Sequence, residues 1–120
     1  MTDTSVFAST GAGGIAIAHA SATETIEALE RAGWRVALLT AIADLDDFHT
    51  GIAAELDFGE YYGRNLDALW DCLTDLPGPV AVVWQQWTQL ALEQPQQWGR
   101  LLPVLKERTA VRPAFALVLA

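Results

Sequence analysis

The chain has 120 residues, 52% hydrophobic and 18% charged, which excludes a wholly disordered polypeptide and suits a single domain with its own core. Seven Lys and Arg against fifteen Asp and Glu leave a formal charge of -8, which disfavours nucleic acid and anionic membranes as partners and favours a basic protein. No apolar run approaches the roughly 18 to 20 residues needed to cross a bilayer, and the single cysteine, Cys72, permits no internal disulfide.

Met1 to about Gly14 is small and polar, as expected of an arm with little structure of its own. It lacks the positive and continuous apolar regions of a signal peptide, so a cytoplasmic location is expected. The glycines from Gly11 to Gly14 precede an apolar run instead of following a strand, which argues against a phosphate loop. Ile15 to His19 is predicted as a short strand. Ser21 or Thr23 then caps a helix to about Ala32, with Ile26 and Leu29 inward and Gly33 as its stop. Trp34 to Leu39 is a second strand, followed by a helix from about Asp46 to Leu56 in which Phe48, Ile52 and Leu56 recur every four residues.

Phe58 to Arg64 leads into a helix capped by Asn65. Beyond Pro79, Val80 to Trp84 is apolar throughout, the pattern of a strand covered on both faces. Gln85 to about Glu93 is predicted as a short helix. The next helix is expected to start near Gly99 or Arg100, so that Pro103 stays close to its first turn. Ala114 to Leu119 is a last buried strand. Strands alternating with helices predict an α/β fold with a mostly parallel sheet and right-handed crossovers. Ile15 to His19 is expected as a fourth parallel strand beside Trp34 to Leu39, covering a sheet edge.

The segment from Glu60 to Asp75 carries the functional signal. Leu66, Leu69, Trp70 and Leu73 fall at i, i+3, i+4 and i+7, an inward apolar stripe with Trp70 at its border. Asp67 and Asp71 lie four apart on the exposed flank, with Thr74 and Asp75 nearby, and such like-charged pairs cost about 0.2 to 0.5 kcal/mol. Asp67 gains from the positive end of the helix dipole, whereas Asp71 is too far along to do so. Fold stability therefore does not ask for Asp71. A solvated acidic face and a binding surface both account for the spacing.

Other chemistry is sparse. Cys72 fits a small buried hydrophobe better than a nucleophile, because no base or electropositive setting accompanies it. His19 and His49 are isolated and fit surface or core-edge positions; no metal site and no cofactor are expected. Asp67 with Asp71 or Glu107 could in principle do acid-base work in a small hydrolase, but so short a chain offers little material for a deep cleft, and no enzyme is expected.

The run YYGRNLDALWDCLTD closely resembles the signature segment of the barstar family, the small intracellular inhibitors of barnase-type secreted ribonucleases. The resemblance covers roughly Trp34 to Ala120. It implies a barstar-like core of three parallel strands with helices over residues 34–120, to which residues 15–33 add one βα unit. It also implies that Tyr61, Gly63, Asn65, Leu66, Asp67, Trp70 and Asp71 form an inhibitory loop and helix whose carboxylates replace substrate phosphates. A gap-free alignment backward from the last strand adds Val104 and Glu107 as apolar and acidic contacts from the last helix. The implied partner is a basic barnase-like ribonuclease, met by a chain that is a monomer when free. The alternative is a barstar-like immunity or regulatory module for a different toxin or protein. Two departures stand out: Asp75 and Leu76 replace the family's frequent Gly-Trp ahead of a shortened connection, and Arg64 adds a cation to the loop, either pointing outward or tuning specificity.

Overall fold

The strands Val80–Trp84 and Phe115–Leu119 are buried at every position, and the rest of the fold arranges itself to cover both of their faces. The structure, a computed structural model, describes Phe7 and residues 10–120. Its elements run β1 (Gly14–Ile17), α1 (Ala22–Arg31), β2 (Arg35–Leu39), α2 (Leu45–Glu55), α3 (Leu66–Thr74), β3 (Val80–Trp84), α4 (Thr88–Glu93), α5 (Pro95–Thr109) and β4 (Phe115–Leu119). The four strands form one all-parallel sheet in the order β1-β4-β3-β2. This is the expected α/β class, with the fourth, N-terminal strand present.

Successive strand residues point to opposite faces, and two cores result. On one face Val80, Val82, Trp84, Phe115 and Leu117 meet Phe48 and Ile52 of α2, Leu69 and Leu73 of α3, and Leu101 and Leu105 of α5. On the other, Ala81, Val83, Ala116 and Val118 meet Leu29 of α1, Trp34 and Phe7. The small residues on this second face suit a single covering helix. Ser21 caps α1 by accepting from the Glu24 N–H at 3.2 Å, and the chain leaves through Gly33 at φ +91°, a conformation that favours glycine.

The strand β1 does not lie beside β2, as expected, but at the opposite edge, where Gly14 to Ile17 register with Ala116 to Leu119 of β4. Handedness explains the difference. The path β2, β3, β4 steps one way across the sheet with its helices on one face, so a right-handed connection on that face only obliges the reverse step to use the other. Had β1 lain outside β2, α1 would have joined the other helices and left Ala81, Val83, Ala116 and Val118 bare. Sending β1 to the far edge draws α1 across the uncovered face. At the remaining edge, the Leu38 N–H of β2 donates to Glu55 Oε1 at 2.7 Å, and Arg35 pairs with Asp57 at 2.9 Å, blunting the strand against foreign pairing.

Two helix boundaries also differ from expectation. The helix α5 starts at Pro95, with Pro103 inside it. Pro95 suits the first turn, where its missing N–H goes unneeded, while Pro103 is exposed and the carbonyl its ring crowds belongs to Gly99, the residue freest to adjust. The helix α4 starts at Thr88, not Gln85, because Gln86 takes φ +58° and breaks the turn before it. The expected arm falls largely outside the described residues. Of its length, Phe7 is buried against Trp34, with ring centroids 6.3 Å apart, and Gly14 opens β1.

Deleting residues 1–33 would remove β1 and α1, baring one sheet face and the edge of β4. Unfolding free energy should fall by an amount on the order of several kcal/mol, with self-association visible by light scattering. An equally stable, monomeric truncation would show that the second face needs no cover.

Candidate functional site

The helix α3 has only nine residues, so its order rests on what holds its two ends. At the start, Asn65 Oδ1 accepts from the Ala68 N–H at 2.7 Å, the cap expected from sequence. Gly63 lets the loop close on this turn: a Cβ there would meet the Ala68 Cβ at 3.3 Å. Along the helix Leu69 and Leu73 are buried, Leu66 packs half-buried on the same core, and Trp70 is half-buried at the border. Asp67, Asp71 and Asp75 are exposed and recur every four residues, forming a row of three carboxylates with no ion pair among the described residues.

The far end is closed by side chains. The Thr74 hydroxyl donates to Trp70 O at 2.9 Å and lies 3.1 Å from Asp71 O, and the Asp75 N–H donates to Asp71 O at 3.1 Å. Arg108 of α5 is fully buried, at 0% exposure, and its Nε donates to Leu73 O at 2.8 Å. A cation at this end also suits the negative pole of the helix. Burial alone pulls the Arg108 pKa below the ordinary arginine value.

The loop before α3 is pinned to α2. Arg64 sits at φ +53°, unusual for a side chain of its size, and donates to Asp46 Oδ1 at 2.5 Å, Asp46 O at 3.1 Å and Thr50 Oγ1 at 3.0 Å. Its charge is thus matched by Asp46 and directed back at the fold. Tyr62 turns inward, its ring 5.1 Å from Phe58 and its hydroxyl 2.5 Å from His49 Nδ1. His49 is 4% exposed, not at the surface, because the Tyr62 ring covers it. Its neighbour Tyr61 faces solvent at 93% exposure.

Leu66 and Arg100 line one cavity of 290 Å³, while Arg108 reaches Leu73, so α3 and α5 run side by side in the same direction. Positions 100, 104 and 107 then follow one another along the α5 flank beside α3. Val104 packs half-buried on the core and Glu107 is exposed. All nine residues singled out from sequence therefore fall on one loop, α3 and the adjoining α5. Two residues were missed. Arg108 occupies a core position in the inward stripe of Leu101 and Leu105, and a charge at i+7 of such a stripe is its sequence signal. Arg100 carries no comparable mark.

Cys72 is half-buried, and burial, then Asp71 and Asp75, push its thiol pKa up, away from nucleophilic character. Four surface cavities measure 290 to 530 Å³, and none of these four is lined by Asp67, Asp71 or Glu107. Among the described residues, no cluster of three or more His, Cys, Asp or Glu could hold a metal, and no helix is long and apolar enough to cross a membrane.

Fold and site together define a small parallel α/β protein that presents a fixed, acid-rich helix and its leading loop at the surface. The profile of the Barstar (barnase inhibitor) family matches residues 34–119, and the chain belongs to that family. It is also 57% identical over 37 residues to a Bacillus subtilis (strain 168) protein named "Putative ribonuclease inhibitor YrdF", a match covering 28% of this chain and 41% of that protein. The matched portion is thus less than half the length of that relative.

Burial of His49 beside Tyr62 gives the fold a pH dependence. Burial, and then Arg64, lower the His49 pKa from 6.5, with Asp46 opposing, while burial and Cys72 push Tyr62 up to about 12 against Arg64. The neutral ring can accept the Tyr62 proton at Nδ1 and the imidazolium can only donate there, so what penalises protonation is burial and Arg64. Because the folded pKa is depressed, this stability is present above the unfolded value of 6.5 and lost as pH falls through the folded value. Denaturant titrations at pH 7.5 and about pH 5 should show lower stability in acid, and His49→Gln should flatten that slope. An unchanged slope would remove His49 as its source.

Proposed function

We propose that the chain inhibits a basic, barnase-like ribonuclease in the cytoplasm of the cell that makes it, by seating α3 and its loop in the nuclease active site. The carrying observation is the row of exposed carboxylates on a helix fixed at both ends, in a chain of the Barstar (barnase inhibitor) family. A nuclease site holds phosphates with Arg, Lys and His. Asp67 and Asp71 would offer those groups charge-assisted hydrogen bonds in place of substrate. Exposed Tyr61 would supply aromatic contact, with Gly63, Asn65 and Leu66 shaping the approach and Trp70 the apolar border. Val104 and Glu107 would extend the contact along α5. The relative's name, a ribonuclease inhibitor, supports the same class of partner.

The activity is occlusion, so no catalytic group is required of this chain. A helix already ordered in the free protein spares the complex much of the ordering cost that binding otherwise carries. Titration against a panel of small secreted ribonucleases, read by RNA cleavage, tests the proposal. Stoichiometric loss of activity for at least one basic member is expected. Unaffected cleavage by every member would favour a barstar-like immunity or regulatory module for another protein.

Asp71 should dominate the interface. Asp71→Ala should change stability by no more than about 0.5 kcal/mol, as for an exposed carboxylate without an ion pair. Its affinity for the inhibited ribonuclease should fall by about 2 to 5 kcal/mol, roughly 30-fold to several thousand-fold. Full inhibition by this variant would rule out the acidic helix as the active surface.

Charge predicts the kinetics. With a formal charge of -8, association with a basic nuclease should be steered at long range. Raising ionic strength from about 0.01 to 0.15 M shortens the screening length from about 30 to 8 Å, and the stopped-flow association rate should drop accordingly. A rate indifferent to salt would argue against a charge-complementary partner.

A further inference from the structure

Arg108 is a buried cation without a carboxylate within ion-pair reach among the described residues. One of its terminal nitrogens, NH2, is buried with no hydrogen-bond partner. Burying a charge costs free energy and the unpaired NH2 adds to that cost, offsetting part of what its hydrogen bonds contribute, so stability alone gives a weak reason for this residue. Its contacts give a better one. Nε donates to Leu73 O at 2.8 Å, NH1 donates to Val111 O at 2.9 Å, and the guanidinium lies 5.3 Å from the centre of the Phe115 ring. A single side chain thus ties the last turn of α3 to the exit of α5 and the first residue of β4.

The placement bears on the two carboxylate-bearing elements of the surface. Asp71 lies two residues before Leu73, and Glu107 immediately precedes Arg108. Arg108 is ion-paired with neither, so any effect on them must come through the backbone. Resting on the functional reading above, we infer that Arg108 is a positioning residue for the inhibitory surface. It sets the end of α3 against α5 and so holds Asp71 and Glu107 at one spacing. An amide or hydroxyl side chain of ordinary length on α3 would leave this bond at the mercy of solvent. The buried guanidinium makes it out of contact with solvent.

The test compares Arg108→Met, which keeps a long apolar stem, with Arg108→Lys, which keeps the charge. In the free protein, amide hydrogen exchange at Thr74 and Asp75 should accelerate about tenfold in Arg108→Met, while amides of β3 keep their protection. The dissociation rate from a ribonuclease inhibited by the parent chain should rise about tenfold, and the loss caused by Asp71→Ala should shrink in the Arg108→Met background, the mark of coupled sites. Arg108→Lys should recover part of both effects. Exchange that accelerates equally in β3 would make Arg108 a general stabiliser and overturn the inference, as would unchanged exchange at α3 or unchanged dissociation. Because the exchange measurement needs no partner, failure to inhibit any ribonuclease would sink the functional reading separately.

Discussion

Burial of β3 and β4 on both faces is the constraint from which the architecture follows. Two strands with no polar position cannot end at a single helical layer, because Ala81, Val83, Ala116 and Val118 would remain in water. Right-handed crossovers then decide the rest. Helices joining β2, β3 and β4 stack on one face, and only a connection that traverses the sheet in the reverse direction can reach the other. That connection is α1, and β1 lies at the far edge because α1 has to pass beneath the sheet. The candidate surface profits from the division: α2, α3 and α5 share one layer, so the loop, the acidic helix and the Val104 to Glu107 flank come from neighbours in the same sheet of packing.

What was legible in the sequence was local, and what was not legible depended on partners far along the chain. The cap at Asn65, the stripe through Leu69 and Leu73 and the exposed Asp67 and Asp71 are all set within ten residues of one another, and each stands where its spacing places it. The partner of β1 lies about a hundred residues away in β4, and nothing in Ile15 to Ile17 names it. The clue sat elsewhere, in the two-faced apolar run of β3, which already required a cover that helices on one side could not provide. For the same reason the sequence could not choose between surface and core edge for His49 and did not mark Arg108: the first is covered by Tyr62 and the second bonds Leu73, 13 and 35 positions distant. Pro103 misled in the opposite way, as a local rule overridden by a permissive Gly99 and an exposed ring.

Three of the cations are engaged away from the carboxylate row of α3. Of the seven Lys and Arg, Arg35 is committed to Asp57 at the sheet edge, Arg64 to Asp46 at the head of α2, and Arg108 to backbone carbonyls beneath α3. Arg64 and Arg108 both act on the elements around α3, yet neither pairs with its carboxylate row. Had either paired with Asp67 or Asp71, a partner's arginine would first have to displace it, and an exchange of one ion pair for another gains little. Under the proposed function, unpaired carboxylates would leave that gain for the complex.

Rigidity in this surface cannot come from helix propensity, because an isolated helix shorter than about 12 residues is marginal in water. It has to be imported from the fold, and the two ends of α3 show how. Asn65 caps the start and Thr74 the end, Arg64 holds the leading loop on α2, and Arg108 reaches the last turn from α5. The first pair closes the helix on itself, while the second ties its leading loop and its last turn to the neighbouring helices. A surface ordered before binding loses little freedom on meeting a complementary site, so under the proposed function its affinity would depend on bonds made inside the fold.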